Sequence, residues 1–322
     1  MSNISILMPV YNGMPYIIEA IESVLSQEYT DWELIISDNG STDDTRDYLD
    51  TLKDSRIRIY KQPINLGIFG NLNFLLKETQ IPIAKILCAD DKLMPNALKE
   101  FIIFMETYPN CAICRCWKVG DLNTQGPTGF GGSHGDIPEL LNPKAAKLMF
   151  ATFGNVMGNL STAICRPRLV LEAGGFDQRL PYAGDYEGWF RVAEKHGVAF
   201  LTKELVFIRQ HEQQSTHLLN RNNELCEQQN SILEYIFEAI EPIDKGLIRT
   251  HWTLHFIAPR LSFSIRLLLK GRIKAALKSW RSLPANISAL KAAFSYPLWK
   301  SKTQISYNTS NKLRARIKEL NL

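Results

Sequence analysis

Two adjacent acidic residues, Asp90 and Asp91, follow an apolar run in the stretch ILCADDKLMP at residues 86–95. One interpretation is that a strand simply ends in a turn there, because Asp favours turns and its side chain bonds nearby backbone N–H groups. The other is that the two carboxylates carry chemistry, because oxygen ligands of this kind bind divalent cations. The strands and helices around the acidic pair help to decide between these two interpretations.

A regular alternation of strands and helices precedes the acidic pair. The segments ISILMPV (4–10) and WELIISD (32–38) have the pattern of buried strands, and PYIIEAIESVLSQ between them has a helical period. A cap-like STDD then predicts a second helix, which is followed by the strand IRIYK, a helix from about Asn71 to Thr79 and the strand IAKILCA. This order predicts an α/β fold with a mostly parallel sheet flanked by helices.

Polar residues stand at the ends of three predicted strands: PVYNG after the first, SDNGSTDD with Asp38 after the second, and Asp90 with Asp91 after the last. In such sheets ligands bind outside the carboxyl ends of the strands. Neighbouring carboxylates there repel one another unless a divalent metal, or a base with N–H donors, lies among them. Neither of the common glycine-rich phosphate loops follows a strand, so a diphosphate at this edge would be neutralised by a metal on Asp carboxylates.

The composition predicts a globular protein, because 322 residues, 45% hydrophobic and 22% charged, suffice for one large α/β domain or two smaller ones. The first 25 residues lack a secretory pattern, and the uncharged stretch 148–165 is too polar for a membrane span, which together predict a cytoplasmic protein. The six cysteines lack zinc-ligand spacing and are predicted to be buried, reduced thiols; they stand at 88, 111, 114, 116, 165 and 226.

The charge is unevenly distributed along the chain. From Lys245 to the C-terminus there are 16 Lys and Arg residues against one acidic residue, whereas residues 1–244 carry a net charge of −11. From Arg260 onward, basic residues recur every four positions beside an apolar face, which predicts an amphipathic helix; they are Arg266, Lys270, Lys274 and Lys278. Two interpretations stay open: a helix lying in an anionic membrane surface, or a helix packed on the rest of the protein with a solvated basic face. A nucleic-acid partner is not predicted, because no recognised motif accompanies the charge.

Seven segments occur in an order that is familiar from one protein family: PVYNG, SDNGSTDDT, NLGIFGNLN, CADDKLMP, GGFD, GDYEGWFRVA and RQHEQQST. Together they resemble the family 2 inverting glycosyltransferases of GT-A fold. The resemblance covers roughly residues 4–216. It implies a GT-A nucleotide-sugar-binding domain at residues 1–217, followed by a helical, basic C-terminal region at 218–322.

The resemblance also implies a donor site. A nucleotide-sugar, often a UDP-sugar, would lie across the first strand ends, where Asp38 would bond the base. Asp90 and Asp91 fall on the family's D-x-D region, so that Asp90 would bind Mn²⁺ or Mg²⁺ directly and Asp91 would lie at the same metal. His211, in the similar closing loop, would approach the diphosphate or the metal. The other residues implied to line the donor site are Pro9, Val10, Tyr11, Asn12, Asn65, Gly67 and Asn71.

The acceptor side is implied by Asp185, which matches the catalytic base of the family's E-D motif. In the implied reaction Asp185 takes the proton of an acceptor hydroxyl while that oxygen attacks the anomeric carbon with inversion. Two residues depart from the family: Gly184 replaces the usual Glu of this motif, and Cys88 stands where many members have the first Asp of D-x-D. Cys88 is expected to be a core residue. Trp189 is a candidate for stacking on a sugar, although a Trp at this place in a helix is more typical of a core.

The implied function is the transfer of a sugar to a glycan or lipid-linked acceptor in bacterial surface polysaccharide or lipopolysaccharide assembly, at the inner face of the plasma membrane. Two other functions stay open. A non-catalytic nucleotide-sugar-binding protein would be compatible with Cys88 and Gly184, and a sugar-nucleotide pyrophosphorylase is disfavoured because the first strand lacks a basic glycine-rich loop. The segment GDLNTQGPTGFGGSHGD (120–136) is predicted to be a loop over the site.

Overall fold

Nine strands form one sheet in the computed structural model, which describes residues 3–119, 139–211, 224–281 and 304–322. The strands are β1 (Ile4–Val10), β2 (Trp32–Asp38), β3 (Ile57–Lys61), β4 (Ala84–Ile86), β5 (Lys92–Leu93), β6 (Ile113–Val119), β7 (Leu140–Leu141), β8 (Ala163–Cys165) and β9 (Val198–Phe207). Their order is β3-β2-β1-β4-β8-β6-β9-β5, with β7 paired to β9.

The sheet is mostly parallel, as predicted. Strands β3, β2, β1 and β4 pair in parallel, and β6 and β9 point in the same direction beyond the antiparallel β8. Only the short strands β5, β7 and β8 run the other way among the described residues. Because β1, β2 and β4 are parallel neighbours, their carboxyl ends meet at one edge of the sheet.

Helices alternate with these strands along the chain and continue after the last strand. They are α1 (Tyr16–Leu25), α2 (Thr45–Thr51), α3 (Gly67–Glu78), α4 (Ala97–Thr107), α5 (Pro143–Phe153), α6 (Pro167–Glu172), α7 (Gly184–His196), α8 (Glu224–Glu238), α9 (Pro242–Trp252), α10 (Ala258–Leu269), α11 (Ile273–Arg281) and α12 (Gln304–Leu320). The apolar face of α1 is fully buried with the inward side chains of β1 and β2, so one hydrophobic core supports the strand ends.

The predicted strands β1, β2 and β3 are confirmed with the predicted bounds. The third helix begins earlier than predicted, at Gly67. The strand predicted over IAKILCA is shortened to Ala84–Ile86, because the chain turns immediately after it and the N–H of Asp91 donates to the carbonyl of Cys88 at 3.1 Å. The acidic pair therefore lies in a tight turn and not on the strand itself.

The chain divides into two units. The first contains all nine strands and comprises the residues up to Pro143 together with Asn155–His211. The second is helical and comprises Lys144–Gly154 and the described residues from position 224 onward. The predicted boundary at residue 217 lies outside the described residues, and so does the segment 120–136. The domain division stays a prediction. The assignment of residues 144–154, which include most of α5, to the second unit was not predicted.

The long amphipathic helix predicted from Arg260 is wrong. The chain forms a helical hairpin instead, because Gly271 adopts φ of +70° between α10 and α11 and ends the first helix there. The hydroxyl groups of Ser264 and Ser279 meet at 2.8 Å across the hairpin. Within the described residues, no helix combines the length and the low polarity that crossing a membrane would require.

Candidate active site

The loops after β1 and β2 are hydrogen-bonded to each other. Asn12 has φ of +52°, and its backbone N–H donates to the hydroxyl of Ser41 at 2.8 Å while its side-chain oxygen accepts the N–H of Thr42 at 2.8 Å. Pro9 and Val10 are buried in β1, whereas Tyr11 is exposed over 49% of its surface. Of the predicted pocket residues around the end of β1, Tyr11 and Asn12 are therefore the exposed ones.

Asp38 ends β2 and is fully buried. Its Oδ2 accepts a hydrogen bond from Nε of Arg46 at 2.6 Å, and its Oδ1 accepts the N–H of Ser41 at 3.1 Å. Both carboxylate oxygens thus hold the loop that carries Ser41 and the first turn of α2. The contact of Asp38 with a nucleotide base stays a prediction. In the structure, the cation beside Asp38 is Arg46.

The loop before α3 is fixed by Asn39, which sequence reasoning did not single out. The side-chain amide of Asn39 donates to Asn65 Oδ1 at 2.9 Å, and its carbonyl oxygen accepts the N–H of Leu66 at 2.8 Å. Asn65 Oδ1 also accepts the N–H of Gly67 at 2.8 Å. Asn71 is buried and donates to the carbonyl of Ser37 at 2.9 Å, while its own Oδ1 has no hydrogen-bond partner among the described residues. Asn65, Gly67 and Asn71 therefore lie beside the end of β2.

The turn after β4 brings together the groups that could bind a metal. The Sγ of Cys88 and a carboxylate oxygen from each of Asp90 and Asp91 lie within 4.8 Å of one another. Cys88 was expected to be a core residue, but it is partly exposed, unlike the other four described cysteines, which are buried. The backbone N–H of Cys88 donates to the hydroxyl of Ser161 at 2.8 Å and fixes the turn.

Asp91 is the buried member of this group, at 1% exposure. Its Oδ1 accepts the N–H of Arg209 at 3.0 Å, but its Oδ2 is buried without a hydrogen-bond partner among the described residues. Burial, and secondly the negative charge of Asp90, raise the pKa of Asp91 to about 7. A buried carboxylate oxygen without a partner is costly, and a bound cation is one way to satisfy it. The residues present therefore fit a divalent metal.

His211 lies beside Asp90, with Nε2 at 3.0 Å from Asp90 Oδ2. The imidazole packs on the ring of Tyr16 at a centroid distance of 4.5 Å, and its Nδ1 has no partner in the part of the chain that the structure describes. Arg209 donates from Nε to the carbonyl of Asp90 at 3.1 Å. His211 therefore lies beside the acidic pair. Its predicted role, contact with a metal or a diphosphate, stays a prediction.

A buried amine, that of Lys85, lies in the strand that precedes the acidic turn. Lys85 in β4 is fully buried, and its ammonium group donates to the carbonyls of Ser161 and Ala163. Desolvation lowers the pKa of Lys85, and the neighbouring Cys116, Cys88 and Asp91 oppose that shift. Ser161 therefore has two functions: its carbonyl accepts from Lys85 and its hydroxyl accepts from Cys88.

Asp185 stands in the first turn of α7, where the helix dipole favours a negative charge. Its Oδ1 accepts the N–H of Tyr186 at 2.8 Å and its Oδ2 accepts the side-chain amide of Asn155 at 2.7 Å. The carboxylate is densely surrounded by protein but keeps some accessible surface. Burial raises the pKa of Asp185 to about 6, against the two hydrogen bonds, which lower it. Such a carboxylate is ionised at neutral pH and basic enough to accept a proton.

Asn155 begins a short segment that sequence reasoning did not connect with Asp185. The segment, residues 155–162, continues to the 3₁₀ turn Leu160–Thr162 that carries Ser161. Near its start the segment is held by Arg115, whose buried guanidinium donates to the carbonyl of Val156 at 2.7 Å. Desolvation lowers the pKa of Arg115 to about 10. Because Asn155 and Asp185 are 30 positions apart, no local pattern predicts their contact.

The departure at Gly184 has a steric explanation. A Cβ placed on Gly184 would lie 2.8 Å from the ring of Phe69, which is itself buried. Phe69 stacks on Phe176 at 5.7 Å, and Phe176 packs edge-on against Trp189 at 4.9 Å. Aromatic packing thus fills the space that a longer side chain at 184 would need. Trp189 is fully buried, so it is a core residue and cannot stack on a sugar in this arrangement.

The strand edge, the acidic turn and the carboxylate at the start of α7 all belong to the first unit of the fold. The family model described as glycosyl transferase family 2 matches residues 5–166, half of the chain. The chain therefore belongs to glycosyl transferase family 2, and it is a glycosyltransferase.

Two curated relatives illustrate the similarity. An uncharacterized glycosyltransferase from Haemophilus influenzae is 29% identical over 226 residues, which are 67% of this chain and 68% of the relative. The enzyme WfaP of Escherichia coli, named UDP-Glc:alpha-D-GlcNAc-diphosphoundecaprenol beta-1,3-glucosyltransferase, is 38% identical over 107 residues, which are 33% of this chain and 43% of WfaP.

Solved structures show the same fold. Staphylococcus aureus TarS 1–349 in complex with UDP-GlcNAc aligns with a TM-score of 0.62 and 17% identity, covering 99% of this chain and 92% of TarS 1–349. The mannosyltransferase PcManGT from Pyrobaculum calidifontis, in complex with GDP-Man and Mn²⁺, aligns with a TM-score of 0.55 and 17% identity, covering 98% and 84%. The predicted GT-A fold is confirmed.

Proposed function

We propose that the chain is a metal-dependent, inverting glycosyltransferase that moves a sugar from a UDP-sugar to a glycan or lipid-linked acceptor in surface polysaccharide or lipopolysaccharide assembly. One observation carries the proposal: a buried acidic turn that fits a divalent metal and a hydrogen-bonded carboxylate of raised pKa belong to the same unit of the fold. UDP-sugars are named for TarS and WfaP, and a diphosphoundecaprenol-linked acceptor is named for WfaP.

The donor site consists of the residues at the strand edge. Asp38 and Asn71 close the end of β2, Asn65 and Gly67 shape the loop before α3, and Tyr11 offers the exposed ring after β1. Mn²⁺ or Mg²⁺ would be held by Asp90 and Asp91, with His211 beside Asp90. When bound there, the metal would neutralise the charge that develops on the departing nucleoside diphosphate.

The acceptor chemistry belongs to Asp185. Each of its carboxylate oxygens accepts one hydrogen bond from the protein and has a further lone pair for an acceptor hydroxyl. As the hydroxyl oxygen forms its bond to the anomeric carbon, its proton moves to Asp185 and the bond from that carbon to the diphosphate oxygen breaks. Attack from the opposite face inverts the configuration, so one carboxylate base suffices.

The proposal is tested by thermal unfolding of the full chain with UDP, GDP, dTDP and CMP, each with and without Mn²⁺. A ligand at about 100 times its Kd adds about 2.7 kcal/mol, which raises the midpoint of a chain of this size by a few degrees. We expect UDP to stabilise the protein only when metal is present. Stabilisation by another nucleotide would reassign the donor, and no stabilisation by any of the four would contradict the nucleotide-sugar function.

The environment of Asp185 predicts the pH dependence of the reaction. Because the base must be ionised, kcat/KM should rise with pH through about 6, the pKa of Asp185. The variant Asn155→Ala removes a hydrogen bond that lowers this pKa, so its rise in kcat/KM should move to higher pH. Pre-steady-state or steady-state rates between about pH 5 and 8 would measure the shift. Asn96→Ala, at the exposed start of α4, is the control and should keep the wild-type dependence of kcat/KM on pH. If the pH dependence of Asn155→Ala were unshifted, this would argue against Asp185 as the base.

The helical hairpin of α10 and α11 has the features of a membrane-contacting surface, at which the protein would reach a lipid-linked acceptor. Three apolar side chains near its turn are exposed, Leu269 at 82%, Ile273 at 60% and Leu277 at 54%. Three exposed cations stand among them, and the hairpin has no acidic residue; the cations are Lys270, Arg272 and Lys274. Exposed apolar residues among cations suit an anionic membrane surface. These exposed residues support our proposal that the protein is cytoplasmic and peripheral at the inner face of the plasma membrane.

Vesicle flotation tests this membrane contact. Each cation near an anionic surface contributes about 1 kcal/mol, so changing Lys270, Arg272 and Lys274 together to Gln should weaken binding to anionic vesicles about 100-fold. The matched control changes three exposed lysines of the first unit to Gln, namely Lys53, Lys99 and Lys195. We expect the control to float with anionic vesicles as the wild type does. Wild-type protein that stays unbound at low salt would contradict the membrane proposal.

A further inference from the structure

The turn after β4 places the sulfur atom of Cys88 beside two carboxylates. Cys88 Sγ lies within 4.8 Å of the carboxylate oxygens of Asp90 and Asp91. The turn is closed by the N–H of Asp91 on the carbonyl of Cys88, and the N–H of Cys88 is held by Ser161. The three side chains are therefore gathered by backbone hydrogen bonds at both ends of the turn.

A second, independent observation indicates that the cluster takes a ligand. Asp91 is 1% exposed, and its Oδ2 lacks any hydrogen-bond partner among the described residues. Cys88 is partly exposed as a residue, unlike the four other described cysteines, and its Sγ is one of the three atoms of the cluster. A thiol sulfur beside a buried carboxylate oxygen that lacks a partner is the arrangement expected of two ligands of one cation.

We propose that Cys88 Sγ is a ligand of the same divalent metal that Asp90 and Asp91 hold, so that this site prefers thiophilic cations such as Co²⁺, Zn²⁺ and Cd²⁺ to Mg²⁺. The inference rests on the proposed metal site. On binding, the Cys88 thiol releases its proton to the buffer and the sulfur forms a bond to the metal. Carboxylates alone suit Mg²⁺ and Mn²⁺, whereas a thiolate ligand favours softer metals. The serine variant is therefore expected to lose this preference.

The first test uses the full chain, freed of metal with a chelator and titrated with Co²⁺ in the absence of nucleotide. A Co²⁺–thiolate bond gives a charge-transfer band in the near ultraviolet, so the wild type should show this band and Cys88→Ser should not. Cys165→Ser, at a buried cysteine in β8, is the matched control and should keep the band. Absence of the band in the wild type, or its persistence in Cys88→Ser, would overturn the proposal.

Two further measurements keep the proposal testable if Cys88→Ser folds poorly. Cys88→Asp should bind metal without the band, and its Cd²⁺-to-Mg²⁺ affinity ratio in calorimetry should fall by at least about 10-fold. In the unmodified protein, Cd²⁺ should slow alkylation of Cys88, located by peptide mass spectrometry. An unchanged affinity ratio, or alkylation of Cys88 at the same rate with Cd²⁺, would count against sulfur ligation.

These experiments separate the inference from the proposed function. If the Co²⁺ band is present but no nucleotide stabilises the protein, Cys88 is a metal ligand and the nucleotide-sugar function fails. If UDP stabilises the protein with Mn²⁺ while the Co²⁺ band is missing, the donor function stands and Cys88 is a packing residue.

Discussion

Asp185→Asn is expected to lower kcat by about 10² to 10⁴, because loss of a positioned general base typically costs that much. The amide has nearly the shape of the carboxylate, and it cannot accept the acceptor's proton. Binding of the donor should be unaffected, since Asp185 does not belong to the metal-binding turn. Single-turnover rates with a donor identified by the nucleotide panel would measure the loss.

Folding should survive this substitution. Asn at 185 offers one acceptor oxygen in place of two, so either Tyr186 or Asn155 loses a hydrogen bond, at about 1 kcal/mol. Removal of a buried charge offsets part of that cost. The unfolding midpoint should therefore change by no more than a few degrees. Glu172→Gln, at an exposed acid of α6, is the control and should turn over as the wild type does. Near-wild-type kcat in Asp185→Asn would remove Asp185 from the proposed mechanism.

Asp91→Asn is expected to abolish metal-dependent binding of the nucleotide. Even partners that only orient a metal ligand contribute about 10- to 100-fold to affinity, so loss of a ligating carboxylate should weaken Mn²⁺ by at least about 100-fold. The fold should be retained, because an amide oxygen can still accept the N–H of Arg209. Mn²⁺ titration calorimetry, together with thermal unfolding in UDP with and without Mn²⁺, would measure both effects.

The control for this substitution is Asp50→Asn. Asp50 is a 64% exposed carboxylate that pairs with Lys61 away from the acidic turn, so its loss should leave Mn²⁺ affinity unchanged. If Asp91→Asn bound Mn²⁺ as tightly as the control, the metal site would have to be sought elsewhere in the chain.

The parts of the fold that follow from local pattern could be predicted from the sequence. Strands β1, β2 and β3 are continuous apolar or alternating runs, and their bounds follow from side-chain periodicity alone. The positions of Asp38 and of the acidic pair at one sheet edge follow from the parallel order of the strands. These predictions needed no knowledge of contacts between distant residues.

The errors have a different origin. The contact of Asn155 with Asp185 and the packing of Phe69 on Gly184 join positions that are distant in sequence, and no periodicity encodes them. Cys88 was taken as a core residue because its type favours burial, but the turn that closes at Asp91 gives it access to solvent. The hairpin at Gly271 could have been predicted, because a glycine inside a helical pattern costs about 1 kcal/mol and often ends the helix.

The segment 155–162 contacts both the carboxylate of Asp185 and the turn that carries the acidic pair. Its first residue holds Asp185, and Ser161 near its other end holds the turn that carries Cys88 and the acidic pair. In the proposed reaction, the distance from the base to the leaving group would therefore depend on the length of this short piece of backbone. An insertion within this segment should leave nucleotide binding intact while moving the base out of reach of the anomeric carbon. For the proposed reaction, the number of residues between Asn155 and Ser161 would therefore matter more than their identity.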